Sequence, residues 1–176
     1  MPSTFVLGGA RSGKSSFVER RAAAHSASTA FIATALPIDD EMSQRIDAHR
    51  ASRPPHWHTV EEPLLVADAV ASAAAFDVVV VDCLTVWLGN ALHEGWDGAR
   101  VDREARLLAD LLRATSAHAY IVSNDVGLGI VPADATSRSY RDLLGRVNST
   151  VAAACGRTLF FAAGRAIELC DPSELS

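Results

Sequence analysis

Apolar residues in this chain come in short unbroken runs, separated by longer stretches in which they recur every three or four positions. "TFVLGG" predicts a buried strand over Thr4–Leu7 that runs into a loop, with a helix from about Lys14 to Ala24. "TAFIATA" predicts a second strand around Ala30–Ala33. In "DDEMSQRIDAHRAS" acidic residues open a helix, Met42, Ile46 and His49 share one face, and Pro54 stops it. An extended piece near His58–Val60 precedes an alanine-rich helix after Pro63. "DVVVVD", Asp77–Asp82, is the β-branched run expected of a strand buried on both faces of a parallel sheet. A helix-rich stretch containing "VDREARLLADLLRAT", the strand "AYIVSND", the helix "SRSYRDLLGRVNSTVAAA", the core strand "TLFFAA" and an edge strand "AIEL" complete the order. Strands alternating with helices predict an α/β fold, a doubly wound and mostly parallel sheet with helices on both faces. Residues 1–176 are expected to form one domain, without repeats or linkers.

Composition narrows the class. The chain is 49% hydrophobic and 21% charged, with net charge −5 and pI near 5.6, so no global field draws it to nucleic acid or anionic membranes. The longest apolar stretch is interrupted by Asp82, so no membrane insertion is expected. Cys83, Cys155 and Cys170 are odd in number and lack C-x-x-C spacing, which favours free thiols in a reducing cytoplasm. "MPSTFVLGGARSGKS" has no signal-peptide h-region, in keeping with that location.

Chemistry enters with "GGARSGKS", which fits G-x-x-x-x-G-K-[ST] between a predicted strand and a predicted helix. In such a loop the backbone of Gly8, Gly9, Ala10, Arg11, Ser12 and Gly13 turns N–H groups towards phosphate oxygens, and Ser16 continues the helix start. Lys14 would contact the β and γ phosphates and Ser15 would ligate Mg²⁺. Of the 16 basic residues Lys14 is the only lysine, as expected where a compact ammonium fits and a guanidinium does not. This makes the expected fold a P-loop NTPase type. Asp82 ends its strand on the ligand-binding rim, either as a Walker-B-like carboxylate for Mg²⁺ or as an N-cap of the next helix. Asn124 and Asp125 end the following strand on the same rim, with their role open.

"RIDAHRASRPPHWHT" gathers three histidines and three arginines. Its spacing matches no zinc pattern. Two readings remain. Either the basic side chains simply favour a helix C-terminus, or Arg45, His49, Arg50 and Arg53 form an anion site containing a nucleophile. In the second reading the arginines should lower the His49 pKa and keep the imidazole neutral. His56 and His58 are expected to be structural, and Trp57 to pack in the core or against a neighbouring subunit.

The combination of "GGARSGKS", "DDEMSQRIDAHRASRPPHW", "NDVGLGIVP" and "GRVN" resembles the bifunctional adenosylcobinamide kinase / adenosylcobinamide-phosphate guanylyltransferase family of cobalamin biosynthesis. The resemblance implies a homotrimer that phosphorylates adenosylcobinamide with ATP or GTP. It then transfers GMP from GTP to adenosylcobinamide phosphate through a guanylyl-histidine. Carried onto this chain, the nucleophile is His49 and the phosphate loop contains Gly8, Gly13, Lys14 and Ser15. Asp82 takes the Walker-B-like place, and Glu61 closes the R-I-x-x-H-x-x-x-R-P-x-x-W-x-T-x-E pattern. Alternatives are a P-loop kinase of another small metabolite and a GTP-binding regulatory module. The latter lacks an N-K-x-D motif, because Lys14 stands alone.

Overall fold

A computed structural model describes residues 3–25 and 28–175; the first residues of the expected single domain lie outside them. Seven strands form one sheet in the order β3-β2-β4-β5-β1-β6-β7. They are β1 (Thr4–Gly8), β2 (Thr29–Ala33), β3 (His58–Glu61), β4 (Val78–Asp82), β5 (His118–Val122), β6 (Arg157–Ala162) and β7 (Arg165–Leu169). All neighbouring pairs are parallel except β6 and β7. The helices are α1 (Lys14–His25), α2 (Asp40–Ser52), α3 (Val66–Ser72), α4 (Leu84–His93), α5 (Gly98–Ala114) and α6 (Ala135–Ala152). The stretch read as helix-rich is thus two helices, with Glu94–Asp97 between them.

Handedness explains the distribution of helices. Parallel crossovers are right-handed, so reversing the direction of travel along the sheet moves the connecting helix to the other face. The chain passes from β1 to β2 and β3 in one direction, then from β3 through β4, β5 and β6 in the other. Accordingly Val18 and Ala22 of α1 join Val6, Phe31, Val78, Val80 and Tyr120 in one apolar cluster. Residues of α3 to α6 join Phe5, Ile32, Val79, Val81 and Ile121 in the other. Adjacent strand residues alternate between the clusters, as a period of two requires for strands buried on both sides.

The reversal has a second consequence. At β1 one connection departs towards β2, and another later crosses over to β6, which opens a crevice at the strands' C-terminal ends. Both the loop after β1 and Asp82 at the end of β4 face that crevice, with β5 between their strands.

The β6–β7 hairpin supports it from the side. Ala163 and Gly164 have φ of 49° and 72°, the positive pair that a two-residue hairpin turn requires. Gly164 N–H donates to Ser12 C=O at 3.1 Å, so the turn rests on the phosphate-type loop.

Candidate active site

The loop between β1 and α1 is shaped by its lysine as well as its glycines. Gly8 has φ 148° and Gly13 has φ 98°, while Arg11 takes a left-handed φ of 55°. The Lys14 ammonium donates to Gly8 C=O at 2.8 Å, to Gly9 C=O at 2.6 Å and towards Ser12 Oγ at 3.3 Å. Lys14 is buried, and burial lowers its pKa against the supporting charges of Cys83 and Asp82. Above this cation the first turn of α1 presents backbone N–H groups that have no partner within the helix.

Asp82 lies across from that turn, and the Ser15 hydroxyl donates to its carboxylate. Burial raises the Asp82 pKa; Ser15, His49 and Arg53 oppose the rise. Among the described residues no arginine or lysine forms an ion pair with it, and no group of three His, Cys, Asp or Glu could hold a metal unaided. A hydroxyl plus a single carboxylate suits Mg²⁺, which keeps waters and takes its other ligands from substrate phosphates. The N-cap of α4 is Cys83 rather than Asp82, which leaves the carboxylate free of a capping role.

Helix α2 forms the opposite wall. Asp39 caps it by accepting from Met42 N–H at 2.7 Å, and it ends where Arg53, preceding Pro54, becomes extended. No residue of α2 is buried. Its apolar stripe, Met42 and Ile46, faces the crevice together with Arg45, His49 and Arg50. His49 and Arg50 therefore occupy the helix's last turn and, with Arg45 further back, also line the crevice.

These parts enclose a cleft of about 670 Å³. Ala10 to Ser16, Arg45, His49, Arg50, Arg53, Glu61, Asp82 and Asn124 all line it. Gly8 and Gly9 stand behind the loop as acceptors for Lys14. Arg50 pairs with Glu61. The Arg53 guanidinium lies 3.7 Å over the Phe31 ring, with its Nε unpartnered. Asp125 instead turns its own loop, accepting from Gly127 N–H at 2.7 Å. Trp57 is buried against Phe31, and His58 stacks on Phe76.

One expectation is reversed. The His49 pKa is raised, not lowered, because the neighbouring Glu19 carboxylate outweighs burial, with further support from Asp82; Arg53 acts in the expected direction but is weaker. Glu19 lies one turn beyond Ser15 on α1, a different helix from the one that carries His49, so no local pattern in the sequence marked it as the ring's partner.

Other contributing residues carried little signal. Thr34, fully buried, donates to Cys83 C=O at 2.8 Å and accepts from Cys83 N–H at 2.9 Å, tying the ends of β2 and β4 together. Asn124 is fixed through its backbone: its N–H donates to Thr85 Oγ1 at 2.8 Å and its C=O accepts from Asn148 Nδ2 at 3.1 Å. Ser123 Oγ donates to Asn148 Oδ1 at 2.7 Å. Asn148 is the last residue of "GRVN", which gives that motif a physical role.

Comparison with known proteins adds to this geometry. A family profile described as cobinamide kinase / cobinamide phosphate guanyltransferase matches residues 4–169. The chain is 45% identical over 160 residues to the bifunctional adenosylcobalamin biosynthesis protein CobP of Pseudomonas aeruginosa, covering 90% of this chain and 92% of that one. It is 34% identical over 181 residues to the corresponding CobU of Salmonella typhimurium, covering 93% and 97%. Among solved structures it is similar to the RadB recombinase, with TM-score 0.52 and 16% identity over 90% of this chain and 73% of that chain, which speaks to the fold alone.

Proposed function

Because this chain belongs to the cobinamide kinase / cobinamide phosphate guanyltransferase family, we propose that one cleft, the one bordered by the phosphate-type loop, serves both transfers, with His49 as the residue that carries the guanylyl group. The chain is a bifunctional enzyme of cobalamin biosynthesis, phosphorylating cobinamide and then guanylylating the product. The observation that carries the residue assignment is shared lining: the His49 ring and the phosphate-type loop border the same cleft.

In the kinase step the loop N–H groups and Lys14 hold the β and γ phosphates of ATP or GTP. The aminopropanol hydroxyl of adenosylcobinamide then attacks the γ-phosphorus, the bond to the β–γ bridging oxygen breaks, the nucleoside diphosphate leaves with that electron pair, and the hydroxyl proton passes to solvent. Ser15 and Asp82 are the residues that would hold Mg²⁺, which when bound neutralises charge on the β and γ phosphates.

In the guanylyl step the same loop grips GTP, and His49 Nε2 attacks its α-phosphorus. The N–P bond forms as the bond to the β-phosphate oxygen breaks, and pyrophosphate leaves with the electron pair. Arg53, stacked on Phe31 with a free Nε, and Arg45 supply positive charge where the phosphorus becomes more anionic. Arg50, paired with Glu61, supports the same wall. An oxygen of adenosylcobinamide phosphate then displaces the histidine, giving adenosylcobinamide-GDP.

The reading includes the homotrimer. Leu128, Ile130 and Val131, exposed by 79%, 98% and 60% on the loop after β5, support an apolar surface that another copy covers. Light scattering on the wild type and on Ile130→Asp tests this, with the expected trimer mass lost in the variant. A cytoplasmic location fits the nucleotide substrates and three free cysteines; no helix among the described residues is long and apolar enough to cross a membrane.

The central test uses GTP labelled at the α or the γ phosphate. Protein-bound label is expected from α only, stable to alkali and labile to acid, and absent in His49→Ala. Lys14→Ala should depress both transfers, whereas His49→Ala should depress guanylyl transfer far more than phosphoryl transfer. Retained α label in His49→Ala would overturn the assignment.

A further inference from the structure

The geometry points to Glu19 as the positioning residue that fixes the His49 ring, holding its proton on Nδ1 and leaving the Nε2 lone pair facing the cleft. This rests on His49 being the guanylylated residue.

Four observations converge on it. His49 Nδ1 is the ring nitrogen nearest a carboxylate, 3.9 Å from Glu19 Oε1. That is ion-pair distance rather than a tight hydrogen bond, as is common in a free enzyme before its site closes on substrate. The Glu19 side chain is only 16% exposed, although it stands on the polar side of α1. Ser52 Oγ lies 2.9 Å from the His49 carbonyl and 3.3 Å from Glu19 Oε1, and its single proton can be donated to either, which places the carboxylate beside the backbone that carries the ring. Glu19 also sits one helical turn beyond Ser15, so α1 sets the phosphate-binding loop and the imidazole's partner on one rigid element.

The chemistry gives the pairing a purpose. A histidine can attack phosphorus only through a nitrogen that carries a lone pair, and the other nitrogen's partner decides which one that is. With a carboxylate at Nδ1, the proton stays there and Nε2 attacks. As the N–P bond forms, the ring acquires positive charge, which the carboxylate offsets without taking the proton. When the cobinamide phosphate oxygen displaces the ring, the N–P electron pair returns to Nε2 and the same tautomer is regenerated. Neither half needs a base beyond the two residues. The other charged groups facing the ring are Asp82 at the end of β4 and Arg53 at the end of α2; Arg45 and Arg50 flank it on α2, and Glu61 on β3 is occupied by Arg50.

The experiment compares wild type, Glu19→Gln and Glu19→Asp. Single-turnover formation of guanylyl-histidine from α-labelled GTP is expected to fall at least about tenfold in Glu19→Gln and to recover in part in Glu19→Asp. The ratio of guanylyl to phosphoryl transfer should fall in parallel, and the apparent affinity for GTP should change much less than the rate. On ¹⁵N-histidine-labelled protein, the His49 signal should report the Nδ1–H tautomer in wild type and shift towards Nε2–H in Glu19→Gln. A merely structural glutamate would not move that signal. Glu19→Gln forming guanylyl-histidine at the wild-type rate, with an unchanged tautomer, would sink the inference; so would a rate loss in both variants without a tautomer change. Wild type that takes no α label would instead overturn the His49 assignment itself.

Discussion

Gly8 and Phe161 approach so closely that a β-carbon on the glycine would lie 2.3 Å from the Phe161 carbonyl oxygen. The contact joins the end of β1 to β6, its parallel neighbour, at the point where the chain turns into the phosphate-binding loop. Gly8→Ala therefore adds a backbone clash to a strained φ of 148°. We expect a loss of about 2–5 kcal/mol in urea denaturation, together with weaker triphosphate binding by calorimetry. A stability near wild type would show that β6 yields more readily than a central strand should.

Thr34→Val keeps the shape of a fully buried side chain and removes its hydroxyl. The Cys83 N–H and C=O would each lose a partner, which should cost about 1–3 kcal/mol. Cys83 follows Asp82, so the carboxylate should also lose its fixed position and both transfers should slow. Denaturant midpoints and steady-state rates measured on one preparation would separate the two effects.

Asp82→Asn is expected to raise the melting temperature of the nucleotide-free protein. Burial pushes the Asp82 pKa up, so the fold disfavours the charged form that neutral pH demands, and an amide of the same shape escapes that penalty. The variant should also lose most of the further thermal shift that Mg²⁺ with GTP confers on wild type. A lower melting temperature would mean that the Ser15 hydrogen bond and the attraction of His49 and Arg53 outweigh the desolvation.

The acid limb of guanylyl-histidine formation should have its midpoint above about 6.5, the ordinary imidazole value. The sign follows from Glu19: it holds the His49 pKa up, and the protonated ring cannot attack, so the rate should fall as pH drops through that raised pKa. The linked stability has the opposite sense. It is fully present below the unfolded value and fades as pH rises through the folded one, and it is small because the side chain is 47% exposed. Single-turnover rates between pH 5 and 9 test this, and a midpoint below the ordinary value would contradict the Glu19 contact.

Where the sequence reading succeeded, the signal was local. The strand order in the chain, the helix over Asp40–Ser52 with its stop before Pro54, and the loop from Gly8 to Ser15 are written in nearest-neighbour patterns. The reading of His49 went astray because it weighed charges near in sequence. Arg45, Arg50 and Arg53 were visible beside it, whereas Glu19 lies on another helix and reaches the ring only through folding. Thr34 and Asn148 were opaque for the same reason: a lone hydroxyl or amide gains its meaning from partners 49 and 24 residues away.

By itself the sequence determined the alternation of buried strands with helices, the phosphate-gripping loop with its lone lysine, and the residue types available for transfer chemistry. Periodicity, glycine conformation and charge are properties of short segments, and they survive without knowledge of the rest. Tertiary structure decided which helices cover which face, that the apolar stripe of α2 meets a cleft rather than the core, and which carboxylate governs the imidazole. Those outcomes depend on crossover handedness and on contacts between segments distant in the chain, so only the assembled sheet could fix them.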